Sequence, residues 1–168
     1  MKTLYLVRHA KSSWKDPSLS DRDRPLNKRG KRDAPRMAEY VADKISSPDV
    51  FVSSPSRRTQ DTAINFLHAF DKLKADLQLE EYLFHGDERD IEEVIQNLDN
   101  AHDSAMFFIH NPGITDYANE LTGENILNIP TCGVIGIQLA TEDWKQVHQC
   151  QKKKLFYYYP KGLDLPTH

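Results

Sequence analysis

Cysteine is scarce in this sequence: two residues, Cys132 and Cys150, in a chain of 168. They form neither a metal-ligand spacing nor a disulfide framework. Both lie in or beside apolar, strand-like segments, so both read as core thiols. An excess of positive charge is also missing. Basic and acidic residues nearly balance, at a formal net charge of −3, which argues against the broad basic footprint of a general nucleic-acid binder. The short basic run Lys152 to Lys154 reads as a solvated face. Long apolar runs are absent, and no stretch approaches the ~20 residues of a membrane span. The N-terminal apolar run is too short for a signal peptide and Arg8 follows it at once. The expectation is a soluble cytoplasmic protein with no nucleic-acid or membrane partner. Internal repeats, linkers and low-complexity tracts are lacking too, and one domain over residues 1–168 is expected at this length.

What is present alternates. Thr3 to Val7 is a short continuous apolar run, the pattern of a strand buried on both faces. A polar, charged stretch follows, in which Asn27 is placed to cap a helix. Apolar positions at Ala34, Met37, Ala38, Val41, Ala42 and Ile45 have helical spacing, with Pro35 expected to kink that helix or delay its start. "DVFVSS" reads as a second buried strand. In "SPSRRTQDTAINFLHAF", Ser54 is expected as N-cap and Pro55 at the first helical position. "ADLQLEEYLF" holds a short third strand, and "RDIEEVIQNL" has a helical apolar face at Ile91, Val94, Ile95 and Leu98. "AMFFIH" is a fourth strand. "NPGITDYANELTG" follows as a helix, with Asn111 expected as cap, Pro112 at its first position and Gly123 as stop. "GVIGIQLA" and "KKLFYYYP" are two late strands, the last at an edge. This alternation predicts an α/β fold, a three-layer αβα sandwich around a mainly parallel central sheet.

Ligands in such sheets sit outside the carboxyl ends of the strands, and three of those ends carry unusual chemistry. The first strand ends at Arg8-His9. The second feeds a helix whose first turn holds Arg57 and Arg58. The fourth ends at His110, directly before a helix start. A cation in the first turn of a helix opposes the macrodipole by about 0.3–1 kcal/mol, and an anion between such groups reverses that cost. Phosphate suits this set, because it accepts bidentate hydrogen bonds from guanidinium and further bonds from helix-end N–H groups. One arginine of the pair is as readily a surface partner of Asp61.

The segments "LVRHAKS", "SSPSRRTQDTA" and "FIHNPGI", in this order, resemble the histidine phosphatase superfamily over nearly the whole chain. Within it they are most similar to the SixA-type phosphohistidine phosphatases, of phosphoglycerate mutase-like fold. The resemblance implies His9 as the phosphorylated histidine, Arg8 as its phosphate-binding neighbour and Arg58, four residues after Ser54, as the second phosphate-binding arginine. It implies His110 as the second pocket histidine, and "HNPG" is the form of the SixA-like branch. Asn111 and the backbone after it are expected to add phosphate contacts, and Lys11 to extend the positive field. "RPLNKRG" resembles a helix-opening segment of the family, with Asn27 in place of threonine, and Thr59 stands where alanine is common.

Many members carry an acidic general acid after the third strand, often within a helical insertion. The short span between Arg58 and His110 leaves no room for a large lid. Glu80, Glu81, Asp87 and Glu88 occur there without a family motif; Glu81 is the first candidate acid and Asp87 the second, with His85 a further one. The expected activity is metal-independent and cofactor-free hydrolysis of a phosphoryl group through a phosphohistidine on His9. The expected substrate is a phosphohistidine-bearing protein, with small phosphate esters as the alternative. A mutase would want the missing insertion, and a non-catalytic phosphate-binding module would not need an intact His9.

Overall fold

A computed structural model describes residues 1–163 of the chain. Six strands form one sheet in the order β3-β2-β4-β1-β5-β6: β1 Lys2–Arg8, β2 Val50–Ser53, β3 Leu77–Leu79, β4 Ser104–Ile109, β5 Val134–Leu139 and β6 Lys152–Tyr158. β1, β2, β3 and β4 run parallel; on the β1 side β5 is added antiparallel to β1, and β6 antiparallel to β5, back in the direction of β1. The helices are α1 Lys28–Lys44, α2 Arg57–Ala69, α3 Glu88–Gln96 and α4 Gly113–Thr122. The sheet and its two helical layers make the three-layer sandwich. Between α2 and β4 stand only β3, two 3-10 turns and the nine-residue α3, so no large lid covers the described residues.

The chain's path explains the layers. From β1 the sheet is entered toward β2 and then β3, through α1 and α2. The route back to β4 and on to β5 uses α3 and α4. Right-handed crossovers that travel in opposite directions must lie on opposite faces of the sheet. β1 is therefore sandwiched, and its side chains alternate between two cores. Leu4 and Leu6 pack with Phe107, Ile91, Ile114 and Trp144 on one face. Tyr5 and Val7 pack with Phe108, Met37, Phe66 and Leu67 on the other. This double burial is why β1 reads as an unbroken apolar run. Cys132 is buried in the second core and Cys150 packs at the edge of the first.

Two helix starts, those of α2 and α4, differ in detail from the sequence reading, while α1 has the expected cap and no delay at Pro35. α1 begins at Lys28, capped by Asn27, whose Oδ1 accepts from Gly30 N at 2.9 Å, and it continues through Pro35 for 17 residues. The apolar pattern appears late because the first turn of α1 lies over polar loop rather than core. α2 is capped by Ser56, not Ser54; Ser56 Oγ accepts from Thr59 N. Ser54 is fully buried and its hydroxyl is engaged elsewhere. α4 starts at Gly113 after Pro112, and Asn111 is not its cap. Asn111 instead accepts from Thr115 Oγ1 and donates to Asn128 Oδ1 at 2.6 Å. Gly123 ends α4 in the left-handed conformation, φ 72°, as expected of a C-terminal stop.

Gly30 sets how closely α1 can approach the loop after β1. A Cβ there would lie 2.2 Å from Lys11 O. Gly30→Ala is expected to cost about 1–3 kcal/mol through overpacking against backbone, read as a Tm several degrees lower in a thermal melt. An unchanged Tm would show that the loop gives way freely.

Candidate active site

Register brings the strand ends together. Arg8 is paired with Ile109, so His9 and His110 follow at one level across β1 and β4; Ser53 is paired with Phe108, so Ser54 follows on β2 at the level of Ile109 and Arg8, one residue short of the histidines. Two more backbone bonds extend the ladders past the strands, His9 N to Ile109 O at 3.2 Å and Ser54 N to Phe108 O at 3.1 Å. A cavity of about 290 Å³ opens over these ends, lined by Arg8, His9, Arg58 and His110 and by residues of the loop after β1.

His9 is nearly buried. Its Nδ1 donates to Ala10 O at 2.8 Å, which fixes the tautomer and leaves the lone pair on Nε2. Ala10 is itself anchored, N to Thr62 Oγ1 at 2.9 Å, and Thr62 donates to Arg58 O at 2.8 Å. Burial is the main reason its pKa falls to about 3; the Ala10 bond opposes this, and the charges of Arg58, Arg8 and Arg24 add to it. At neutral pH this imidazole is an uncharged base.

His110 lies beside it, ring centroids 5.3 Å apart. Arg58 Nη2 is 3.3 Å from its Nδ1 and Ser54 Oγ is 2.7 Å from its Nε2. A guanidinium can only donate, so Nδ1 accepts and the ring proton sits on Nε2, directed at Ser54. Burial, then the neighbouring His9 and Arg58, lowers its pKa to about 2, against a smaller raising effect of Asp21. Thr59 fits the same wall: its hydroxyl donates to Ser54 O at 2.8 Å and holds the turn that presents Ser54.

The arginines differ. Arg58 is almost fully buried, while Arg57 is exposed and 3.6 Å from Asp61. Arg8 gives Nη1 to Ile129 O at 2.7 Å. The Nε atoms of Arg8 and Arg58 are buried without a hydrogen-bond partner. A buried donor without an acceptor is costly, and an oxyanion in the cavity is the natural acceptor.

Asp21 was missed by the sequence reading. It stands in a 3-10 turn, Asp21–Asp23, of the polar loop after β1. Its carboxylate accepts from Arg24 Nη2 at 2.9 Å and Arg58 Nη2 at 3.0 Å, and His85 Nε2 is 2.8 Å away. Its carbonyl accepts from Arg58 Nη1 at 2.6 Å. Burial alone would raise its pKa, but bonds and charge from Arg24 and Arg58 outweigh that and bring it to about 2. Arg24 in turn donates to Ser12 Oγ at 2.6 Å and lies 3.6 Å from the centroid of the exposed Trp14 ring at the rim. No spacing rule links Asp21 to Arg58; only the fold does.

The expected acids fall elsewhere. Glu81 does not line the cavity. It is exposed and clamped by Arg22, with contacts of 3.0 and 2.5 Å. Asp87 caps α3, accepting from Arg89 N and Asp90 N; its side chain is committed to the helix start. His85 does line the cavity, on a residue of φ 56°, through the contact with Asp21. Asn111 and Lys11 also line it. Pro112 has no N–H, and Ile114 N is already bonded to His110 O at 2.9 Å, so the start of α4 has fewer free donors than expected.

The profile of the histidine phosphatase superfamily (branch 1) matches residues 4–126. An uncharacterized chloroplastic protein of Arabidopsis thaliana is 30% identical in an alignment 159 positions long that covers 85% of this chain and 69% of that one. Among solved structures, a candidate phosphohistidine phosphatase SixA from Agrobacterium tumefaciens has a TM-score of 0.81 at 24% identity, covering 95% of this chain and 98% of that one. A protein histidine phosphatase SixA complexed with tungstate has a TM-score of 0.80 at 20% identity, covering 95% and 98%. A mycobacterial glucosyl-3-phosphoglycerate phosphatase with VO3 has 0.67 at 12%, covering 93% and 98%. At these identities the structures share the fold.

The two depressed histidines make stability depend on pH. Both rings stay neutral in the folded chain down to about 3 and about 2, whereas the ordinary value is 6.5. Below pH 6.5 the unfolded chain takes up protons that the folded chain refuses, so stability falls as the pH drops. His9→Asn and His110→Asn are each expected to flatten this slope between about pH 6.5 and 4 in denaturant titrations. A slope unaltered by both would mean that the folded chain accepts these protons.

Proposed function

Because the chain belongs to the histidine phosphatase superfamily (branch 1), we propose that it is a phosphatase that carries the phosphoryl group on His9 and takes it from a phosphohistidine-bearing protein. The observation that carries this reading is the state of His9. It is a neutral imidazole with Nδ1 tied to Ala10 O, and its Nε2 lone pair shares a cavity with Arg8 and Arg58.

In the proposed reaction His9 Nε2 attacks phosphorus in line, the bond to the leaving group breaks, and a P–N bond forms. Arg8 and Arg58 bind the equatorial oxygens with donors that the free site leaves unmet, Nε among them. The dianion favours a second proton on His110, which then offers Nδ1–H to phosphate while Nε2–H stays on Ser54. Water next attacks phosphorus, inorganic phosphate leaves, and His9 is again neutral. The arginines and His110 supply the positive charge, so the scheme calls for no metal or cofactor.

The leaving group decides between substrates. Asp21, held ionised well below the ordinary range, is a poor proton donor at neutral pH. A phosphohistidine leaving group asks least of such a site, because its second ring nitrogen can take a proton from solvent before departure. The absence of a large lid leaves room for a protein side chain. Small phosphate esters are the second reading, favoured by the His85–Asp21 contact at the rim, through which a proton can reach an alkoxide.

The test uses an aryl phosphate, a phosphohistidine-bearing carrier and a sugar phosphate. Wild type is expected to turn over the first two, with kcat/KM highest for the carrier. His9→Ala is expected to lose at least about 10³-fold and Arg58→Ala about 10²- to 10³-fold. Undiminished turnover by His9→Ala would remove His9 as nucleophile, and a sugar phosphate preferred over the carrier would establish the second reading.

A further inference from the structure

A second, larger cavity of about 650 Å³ adjoins the first and shares Arg8, Lys11 and Thr131 with it. Its floor is one stripe of α1, Arg29, Arg32 and Arg36, and Lys161 closes the far side. Among the described residues, six cationic side chains and one carboxylate, Asp33, line this groove, in a chain whose net charge is −3. Asp33 offsets little of that charge: it is buried and already accepts from Arg32 Nε at 3.3 Å. Arg29 has only a weak contact, 3.4 Å to Thr131 Oγ1.

Two features make this stripe unfavourable as mere structure. Like charges three and four residues apart on a helix repel, and Arg29, Arg32 and Arg36 have that spacing. The first turn of α1 contains no acid to meet the helix dipole, and bears Lys28, Arg29 and Lys31 instead. An anion in the groove would turn both penalties into attraction. Arg8 stands at the seam. It faces both cavities, with one guanidinium nitrogen held by Ile129 O and Nε unmet. An oxyanion in the groove and a phosphoryl group at His9 would then sit on either side of one guanidinium.

We propose that the groove over α1 is a second anion subsite, which selects substrates carrying a phosphate or carboxylate close to the scissile phosphoryl group. This rests on the phosphatase reading for the scissile group, but the subsite is a matter of binding and can be tested apart from turnover. The second anion has two possible sources of one chemistry. It is an acidic side chain beside the phosphohistidine of a protein, or the other phosphate of a bisphosphorylated small molecule.

The binding arm uses full-length His9→Ala, which cannot consume the ligand, titrated calorimetrically with phenyl phosphate and with alkanediol bisphosphates of graded length. The best bisphosphate is expected to bind at least tenfold tighter than phenyl phosphate, with an optimum length. Arg29→Gln combined with Arg32→Gln is expected to erase that ratio, as is raised salt. Equal affinity for one and two phosphates, or a preference that survives both replacements, would overturn the subsite. The kinetic arm compares phosphohistidine peptides flanked by Glu or by Gln on the wild-type chain. A higher kcat/KM for the Glu peptide that disappears in the double variant supports the protein source; a gain confined to bisphosphates supports the small-molecule source. Bisphosphate selectivity without turnover of any substrate would sink the phosphatase reading and leave the subsite standing.

Discussion

The parallel register of β2, β4 and β1 is the constraint from which the rest of the site follows. A strand residue has no freedom to move along its neighbour without breaking a ladder of backbone hydrogen bonds and turning its side chain to the other face. With Arg8 opposite Ile109, the next residues, His9 and His110, must emerge together, and with Ser53 opposite Phe108, Ser54 emerges one step before them, beside Ile109. The two apolar cores on either side of β1 oppose any slip, because Leu4 and Leu6 would exchange places with Tyr5 and Val7. The placement of His9 and His110 side by side is thus a by-product of hydrophobic packing several residues away.

Electrostatics acts on that frame. Burial keeps His9 and His110 uncharged, and the cations around them reinforce the effect. The same burial leaves Arg8 and Arg58 with Nε donors that nothing among the described residues satisfies. A site of this kind is unfavourable when empty and complementary to an oxyanion when filled, which is the condition for selective stabilisation of charge that develops during phosphoryl transfer. Asp21 moderates it. The carboxylate pairs with Arg24 and Arg58 and holds the loop after β1 against α2. The loop in turn carries Ser12 and Trp14 to the rim.

The groove over α1 extends the same logic. Both α1 and α2 open with basic first turns and no acid. Propensity rules alone would place acids there, and local rules are broken most often where a ligand restores the balance. Arg8 belongs to both cavities, so basic side chains line the surface from one to the other even though the chain as a whole carries a net charge of −3.

Much of this was legible in one dimension. The unbroken apolar runs of β1, β2 and β4 announced strands buried on both faces, and the motifs at their ends named His9, Arg8, Arg58 and His110. The strands follow from period and from strand-to-helix order, which are local properties; the choice of those four residues, Arg58 over Arg57 among them, is what the resemblance to the histidine phosphatase superfamily implies. Helix caps were less legible, because Ser54 and Ser56 are equally good caps by type; Ser54 was drawn away by His110, a partner 56 residues distant. Glu81 and Asp87 lie outside the cavity lining for the same reason. Glu81 and Asp87 were placed by position in the chain, but Arg22 and the start of α3 claim them. Asp21 reaches the site only because the loop after β1 folds back over α2. Sequence by itself determined which residues could do phosphate chemistry. Tertiary structure decided which carboxylate, which arginine donors and which groove lie next to it, because those relations are set by long-range packing that no spacing along the chain encodes.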